Sequence, residues 1–187
     1  MRCFLAVPLR EPALGAAQRT LAQLREKVDA VRWTRPETLH ITVHFFGNVD
    51  DAEFARAVDA AMRVVGDTPP FELTLDTLGA FPERGSPRVL WLGTSVEGGD
   101  MTALALRCRE ALDRVGFAVE ARPFRAHCTL GRPKLPWAAE SRAAWRVIAT
   151  NRLDSSAFTA DALVMYESTP SPGGAVYTSR ELLPFGG

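Results

Sequence analysis

Two short segments of the chain share the form His-x-Thr-apolar: His-Ile-Thr-Val at residues 40–43 and His-Cys-Thr-Leu at residues 127–130. The chain contains three histidines, and two of them therefore have a threonine two positions later. Imidazole is the side chain that most readily exchanges a proton near neutral pH, and a hydroxyl can hold a phosphoryl oxygen. The repeated motif indicates a paired acid and base of the kind that cleaves a phosphodiester without a metal ion.

Both motifs fall in predicted strands, at residues 39–46 and 126–131. Side chains two positions apart on a strand point to the same face. His40 and Thr42 should therefore project together, and so should His127 and Thr129. The intervening residues should turn toward the core: Ile41, Val43, Cys128 and Leu130. If the two strands lie side by side or face to face, the two imidazoles converge on one small space.

Basic residues surround the second motif, although the chain as a whole has no net charge. Lys plus Arg and Asp plus Glu each number 22, so any attraction for an anion has to be local. Residues 121–139 include no acidic side chain and four basic ones: Arg122, Arg125, Arg132 and Lys134. A guanidinium presents a planar pair of donors to phosphate, so this segment suits an anionic substrate. For Arg122 and Lys134, a solvated basic surface is the alternative.

The elements that must position these motifs mix strands and helices in an irregular order. Residue patterns predict strands at 2–8, 39–46, 71–78, 88–96, 126–131, 157–167 and 175–182, and helices at 12–29, 52–65, 100–115 and 138–149. Asp50 or Asp51 is expected to cap the second helix and Asp100 the third, with Gly116 ending the third. Residues 32–36 are expected to form a connector, and the last two strands a hairpin. This mixture predicts an α+β fold.

The composition is that of an ordinary globular protein, with 47% apolar and 24% charged residues in a chain of 187. This length suits one domain over residues 1–187, or two small lobes that share a core. No apolar run is long enough to cross a membrane, and residues 1–9 lack the features of a signal peptide, so we expect a cytoplasmic protein. Three widely spaced cysteines argue against a disulfide framework or a thiolate zinc site, and Cys128 is expected to be a small buried side chain.

On these motifs and their flanks, the chain resembles the 2H phosphoesterases. It resembles more closely the bacterial and archaeal RNA 2′,3′-cyclic phosphodiesterases, also called 2′–5′ RNA ligases. The resemblance covers nearly the whole length. It includes residues 2–6 (RCFLA), Trp33, residues 36–43 (PETLHITV), 45–47 (FFG) and 87–91 (PRVLW), Phe124, residues 127–132 (HCTLGR) and 166–168 (YES), and Tyr177. The paired motifs with these flanks are specific, whereas one motif alone would not be.

This resemblance implies a bilobal 2H phosphoesterase fold of the α+β class. Two antiparallel-sheet lobes with outer helices are related by pseudo-twofold symmetry around a central cleft, and each lobe contributes one His-x-Thr strand. The implied reaction is hydrolysis of an RNA 2′,3′-cyclic phosphate end, or of a cyclic nucleotide, to a 2′-phosphate. The reverse-sense activity is 2′–5′ RNA ligation without ATP. No cofactor and no metal are expected, and a monomer is expected.

In that reaction, His127 is expected to be the proton acceptor and His40 the proton donor. Besides the resemblance, the arginines near His127 should lower the pKa of its imidazole, which suits a residue that must start neutral. His40 has only Arg32 and Arg35 close in sequence, with Glu37 offsetting one of them. His40 is therefore expected to hold its proton more readily.

Other side chains are expected to contact the substrate. Thr42 and Thr129 should hold the phosphoryl oxygens. Arg132, which follows the second motif at the strand exit, and Arg125 are candidate contacts to the substrate. Phe46 is a candidate surface for stacking a base, with Trp33, Phe124 and Tyr177 as others, although a single aromatic is more often part of the core.

Two residues depart from the family pattern. Ala126 stands where the family commonly has proline before the second histidine, so the start of that strand should be less rigid. His44 stands where a small or apolar residue is common. By strand alternation His44 should share a face with His40 and Thr42 and line the cleft, with a solvated or hydrogen-bonded strand histidine as the alternative.

Several other interpretations of the motifs stay open. A related enzyme would act on ADP-ribose cyclic phosphate or on 2′–5′ oligonucleotides, and the motifs do not separate these substrates. A non-catalytic RNA-binding module would keep the cleft, but the presence of both histidines and both threonines argues against it. A two-histidine metal site lacks ligands, since no nearby carboxylate or third histidine completes the set except His44.

Overall fold

The computed structural model describes residues 1–95, 99–151, 153, 155–172 and 174–186. Its strands are β1 (Arg2–Pro8), β2 (Val31–Trp33), β3 (His40–Asn48), β4 (Phe71–Thr74), β5 (Thr77–Phe81), β6 (Val89–Gly93), β7 (His127–Pro133), β8 (Ala157–Ala160), β9 (Ala162–Thr169) and β10 (Val176–Pro184). Its helices are α1 (Ala13–Lys27), α2 (Asp51–Gly66), α3 (Gly99–Arg114) and α4 (Ala139–Ala149), with a short 3₁₀ turn at Pro36–Thr38. The predicted α+β class is confirmed.

Antiparallel pairing joins all the strands of the described residues. The main sheet has the order β10-β9-β1-β3-β7-β6-β5, and β2 pairs with β7 beside this path. Strands β4 and β8 form a separate two-stranded sheet. The motif strands β3 and β7 are neighbours in the middle, and each has a second antiparallel partner on its outer side, β1 for β3 and β6 for β7. This order gives the two related antiparallel halves that the sequence predicts.

One hydrophobic core extends through both halves of the sheet. Its members from the motif strands are Ile41, Val43, Cys128 and Leu130, none of which is more than 4% exposed. The alternate residues are half-buried: His40, Thr42, His127 and Thr129. The predicted alternation within both motifs is confirmed, and Cys128 is a small buried side chain as expected.

The helix ends follow from local capping chemistry. Asp50 caps α2: its side chain accepts a hydrogen bond from the Glu53 amide, and the Glu53 carboxylate accepts one from the Asp50 amide. Gly116 ends α3 with a φ of 88°, as expected. The expected cap at Asp100 is wrong, because α3 begins at Gly99 and Asp100 lies in its first turn. None of the described helices is long and apolar enough to cross a membrane.

Four predicted segments differ from the structure, three of them because they pair with distant strands. The expected connector at 32–36 includes part of β2, which pairs with β7, far away in the chain. The predicted strands 71–78 and 157–167 each divide in two, because β4 and β8 leave the main sheet to pair with each other. The predicted strand 88–96 ends at Gly93, and its last position, residue 96, lies outside the described residues.

An irregularity in β3 changes which of its side chains face the same way. Thr42 is paired with Ala6 of β1, but His44 is paired with the adjacent residue of that strand, Leu5. Paired residues share a face of the sheet, so the extra residue between them puts Thr42 and His44 on opposite faces. The expectation that His44 shares a face with His40 and Thr42 is therefore wrong.

Candidate active site

The two motifs meet where β3 and β7 pair. Ile41 is paired with Cys128, the registered pair between these strands. In an antiparallel register, one step to either side places Thr42 opposite His127 and His40 opposite Thr129. Each imidazole is thus a neighbour of the other motif's hydroxyl. The fold brings these four residues together, as the sequence predicts.

Both imidazoles are held by the same kind of hydrogen bond. Nδ1 of His40 donates to the main-chain carbonyl of Thr38 at 2.7 Å, and Nδ1 of His127 donates to that of Arg125 at 2.7 Å. A carbonyl oxygen only accepts, so the proton of each neutral ring lies on Nδ1. Nε2 of each histidine is therefore left to take up or release a proton.

Burial lowers the pKa of both histidines below the ordinary value of 6.5. Loss of hydration is the main cause in each case, because it disfavours the charged form. The charges of Arg125 and Arg132 lower the pKa of His127 further, as the sequence predicts. The charge of His127 lowers the pKa of His40. The expectation that His40 keeps its proton readily finds no support in this environment, since burial lowers its pKa as well.

Aromatic rings pack against one side of each motif histidine. The His40 ring lies 4.8 Å from the Phe4 ring and 5.4 Å from that of Tyr177, measured between centroids. The His127 ring lies 5.1 Å from Phe81 and 6.3 Å from Trp91. These contacts exclude water from one side of each imidazole, which accounts for the lowered pKa values.

The packing of Trp91 beside His127 depends on two glycines. The Trp91 side chain is 2% exposed, and it lies over Gly79 of β5 and Gly93 of its own strand. A Cβ at Gly79 would lie 2.1 Å from the indole, and one at Gly93 would lie 2.9 Å from it. The absence of side chains at these positions leaves room for the indole, which packs edge-on beside His127 at an interplanar angle of 60°.

Gly79→Ala is expected to lower the free energy of unfolding by about 1–3 kcal/mol, because the added methyl group overlaps the indole of Trp91. Urea denaturation measures this change. Gly66→Ala is the matched control, since a Cβ there meets nothing within 4 Å. Equal stability of the Gly79→Ala and wild-type proteins would show that the indole packs elsewhere.

A cavity of about 1020 Å³ opens where β3 and β7 diverge. On the β3 side it is lined by Thr42, Val43, His44 and Phe45, and on the β7 side by residues 118–120 and 122–127, Thr129 and Arg132. Thr102 and Arg109 of α3 line it as well. Its volume lies at the upper end of the range for small-molecule sites. Three of the four motif residues, Thr42, His127 and Thr129, therefore line this cavity. The cavity also extends well beyond them.

The two arginines that are predicted to contact the substrate both line this cavity, but only one of them forms an ion pair. Arg132 is exposed and has no ion pair among the described residues. Arg125 forms an ion pair with Glu83, and its guanidinium carbon lies 4.7 Å from the centroid of the Trp91 ring. Arg132 is therefore the more available of the two for an anionic substrate.

The predicted stacking residue Phe46 is not among the residues that line the cavity. Its ring packs 4.6 Å from that of His44 and 5.1 Å from that of Phe117. Phe45, which lines the cavity, is 65% exposed and lies 5.7 Å from Phe4. The irregularity in β3 thus brings Phe45 to the surface that simple alternation assigns to its neighbour.

The other aromatic candidates divide between cavity and packing. Phe124 lines the cavity, and the guanidinium carbon of Arg109 lies 5.6 Å from its ring centroid. Tyr177 packs edge-on against His40. Trp33 packs against Gly131, where a Cβ would lie 2.8 Å from its ring. Of these three, only Phe124 is placed to meet a ligand in the cavity.

Arg109 and Glu120 line the cavity without any local signal in the sequence. Arg109 is one of several basic residues on an amphipathic helix, and Glu120 lies in a segment without regular structure. No motif surrounds either residue, so only the packing of α3 against the rest of the chain reveals them. Among the described residues, no three His, Cys, Asp or Glu side chains are grouped as a metal site would require.

Comparison with known sequences finds one family throughout. A family model described as the 2′-5′ RNA ligase superfamily matches residues 11–171. The chain is 37% identical over 134 residues to an RNA 2′,3′-cyclic phosphodiesterase of Archaeoglobus fulgidus, covering 72% of this chain and 73% of that protein. It is 29% identical over 181 residues to the protein of the same name from Thermotoga maritima, covering 95% and 91%.

Solved structures of similar fold cover the whole chain. The protein TT0787 of Thermus thermophilus superposes with a TM-score of 0.79 at 25% identity, covering 99% of this chain and 98% of that one. Escherichia coli LigT, solved as a complex with 3′-AMP, gives a TM-score of 0.79 at 23% identity, covering 98% and 97%. The fold of this chain is therefore similar to that of these two proteins.

Proposed function

The chain belongs to the 2′-5′ RNA ligase superfamily, and from this premise we propose that it hydrolyses RNA 2′,3′-cyclic phosphate ends to 2′-phosphates. The observation that carries the proposal is the matched pair of imidazoles. Each has Nδ1 bound to a main-chain carbonyl, which leaves Nε2 to exchange a proton. Relatives in two organisms bear the name of this activity.

The two histidines have complementary roles in the proposed reaction. Neutral His127 takes a proton from water as the water oxygen attacks phosphorus. The bond from phosphorus to the 3′-oxygen breaks, and protonated His40 gives its proton to the departing oxygen. The products are a 2′-phosphomonoester and a free 3′-hydroxyl. Assignment of the base to His127 is supported by Arg125 and Arg132, whose charges favour its neutral form and lower its pKa.

The two threonines and Arg132 hold the phosphate in this proposal. Thr42 and Thr129 lie opposite the histidines across the pairing of β3 and β7, so their hydroxyls can donate to the two non-bridging oxygens. Arg132 adds a positive charge at the cavity with no competing ion pair among the described residues. The charge on these oxygens increases in the transition state, so such donors accelerate the reaction.

The same pair of histidines would support 2′–5′ ligation without ATP. A 5′-hydroxyl of a second RNA takes the place of water, gives its proton to His127, and attacks phosphorus. The 3′-oxygen leaves with a proton from His40, as in hydrolysis. The strain of the cyclic phosphate drives this step, so no nucleotide triphosphate is needed.

Turnover is expected to persist in EDTA, because proton transfer by two imidazoles requires no Lewis acid. The test incubates the pure protein with RNA ending in a 2′,3′-cyclic phosphate and maps the position of the phosphate in the product. The expected product ends in a 2′-phosphate. Loss of all turnover in EDTA with recovery on adding a divalent cation contradicts the metal-independent mechanism, and a 3′-phosphate product contradicts the proposed direction of cleavage.

The pH dependence follows from the direction of the two pKa shifts. Activity rises with pH as the base His127 becomes neutral and falls as the acid His40 loses its proton. Since both pKa values lie below 6.5, both limbs of the kcat/KM profile should lie on the acid side of that value. We therefore expect kcat/KM to decrease steadily from pH 6.5 to alkaline pH. A profile that keeps rising on the alkaline side would contradict the assignment.

A further inference from the structure

His44, the third histidine, is buried in β3 on the face opposite to His40 and Thr42, and it takes no part in the proposed reaction. It is 7% exposed and lines the cavity. Neither of its ring nitrogens has a hydrogen-bond partner in the part of the chain that the structure describes, although its ring packs on Phe46. Burial and the nearby Arg109 lower its pKa, so the ring is neutral and offers one donor and one acceptor. A buried polar group without a partner at a cavity indicates a role for a ligand.

Arg109 of α3 has donors to spare at the same cavity. Its side chain is 12% exposed, and Nη1 donates to the main-chain carbonyl of Arg122 at 2.7 Å. Nε is buried without a partner among the described residues. Nη2 lies 4.0 Å from a carboxylate oxygen of Glu120, which is too long for a hydrogen bond. The guanidinium is thus fixed in direction but not saturated.

Glu120 places an acceptor beside these donors. Its side chain is 51% exposed, lines the cavity, and also forms an ion pair with Arg122 on the outer side. The Glu120 carboxylate offsets the charge of Arg109, and His44 is neutral. Donors and acceptors therefore lie side by side at this part of the cavity, and the carboxylate disfavours a phosphate in direct contact with it.

We propose that this part of the cavity holds the base of the nucleotide that carries the cyclic phosphate, and that Arg109 and Glu120 together favour guanine. The inference rests on the proposed function and names the base that its site prefers. In this arrangement the phosphate lies beside Thr42, His127 and Thr129, which line the cavity, and the base extends into the space between β3 and residues 118–120.

Guanine matches this group better than the other bases. Its N1–H and exocyclic 2-amino group are adjacent donors, which suit the Glu120 carboxylate when the exposed Arg122 side chain, which donates to one of its oxygens, turns away. Its O6 and N7 are adjacent acceptors, which suit a guanidinium such as that of Arg109. Adenine, cytosine and uracil do not offer two adjacent donors to a carboxylate. His44 can donate to or accept from the remaining edge of the ring.

The test measures binding by calorimetry, with 2′-GMP, 2′-IMP and 2′-AMP as probes. Hypoxanthine differs from guanine only by the missing 2-amino group. We expect 2′-GMP to bind at least about fivefold more tightly than 2′-IMP, the smallest effect usual for one bidentate base contact. Glu120→Gln should remove most of this difference and leave the affinity for 2′-IMP nearly unchanged.

Two controls separate base recognition from general damage. Glu110→Gln changes an exposed carboxylate of α3 and should keep the preference for 2′-GMP. Ribose 2′-phosphate, which has no base, should bind equally to the wild type and to Glu120→Gln. Equal affinities of the wild type for 2′-GMP and 2′-IMP, or a preference that survives Glu120→Gln, overturns the base site. Binding needs no turnover, so a failure of hydrolysis would count against the proposed function alone.

Discussion

Alanine at His127 or at His40 is expected to reduce turnover of a 2′,3′-cyclic phosphate by about 10²–10⁴-fold, the usual loss when a general acid or base is removed. Both rings are fixed through Nδ1 by a main-chain carbonyl, so Nε2 is the atom that exchanges the proton and is lost in each variant. The measurement is the single-turnover rate with enzyme in saturating excess over substrate. It separates the chemical step from binding and product release.

Thr42→Ala and Thr129→Ala provide the comparison on the same strands. Each removes a neutral hydroxyl contact to phosphate and should weaken phosphate binding by about 0.5–1.5 kcal/mol. The resulting loss of activity should be much smaller than that of either histidine variant. Thermal unfolding of all four variants checks that the fold is kept, since all four side chains are only half-buried. A His127→Ala enzyme with a nearly wild-type rate is incompatible with the acid–base mechanism.

A leaving group that needs no proton is expected to restore activity to His40→Ala and not to His127→Ala. A suitable substrate is a 3′-deoxynucleoside 2′-(4-nitrophenyl phosphate), whose nitrophenolate takes the place of the 3′-oxygen. Without the acid, this substrate should recover most of the loss of about 10²–10⁴-fold, because its leaving group departs as a stable anion. Without the base, water is still not activated. Release of nitrophenolate gives the rate directly.

The corresponding methyl ester is the control for this experiment. Its alkoxide is a poor leaving group that still needs a proton, so with this ester the His40→Ala rate relative to wild type should be as low as with the natural cyclic phosphate. Equal recovery of both variants with the nitrophenyl ester would show that the roles are shared. Recovery of His127→Ala alone would show that they are reversed. The result matters because burial lowers the pKa of both rings, and the direction of these shifts alone does not assign the roles.

The sequence by itself determined the pair of His-x-Thr motifs and the local structure that presents them. The period-two pattern of residues 40–43 and 127–130 places His and Thr on one face and apolar residues on the other, and burial in the structure agrees. Helix ends with strong local chemistry were also accessible: the Asp50 cap and the termination at Gly116 depend on residues within one turn. Local sequence is sufficient where the interacting atoms are near neighbours in the chain.

The tertiary structure alone decided what surrounds the pair. The extra residue of β3 opposite β1 turns His44 and Phe46 to the face opposite to the one that simple alternation predicts. No sequence pattern within residues 40–48 indicates this extra residue. Trp91 reaches His127 only because Gly79 and Gly93, on two strands, leave room for the indole. Arg109 and Glu120 line the same cavity as His44 although they lie far from it in the chain. Such contacts join residues far apart in the chain, and they depend on complementary shape and the exclusion of water. Sequence periodicity reports only local structure and therefore does not predict them.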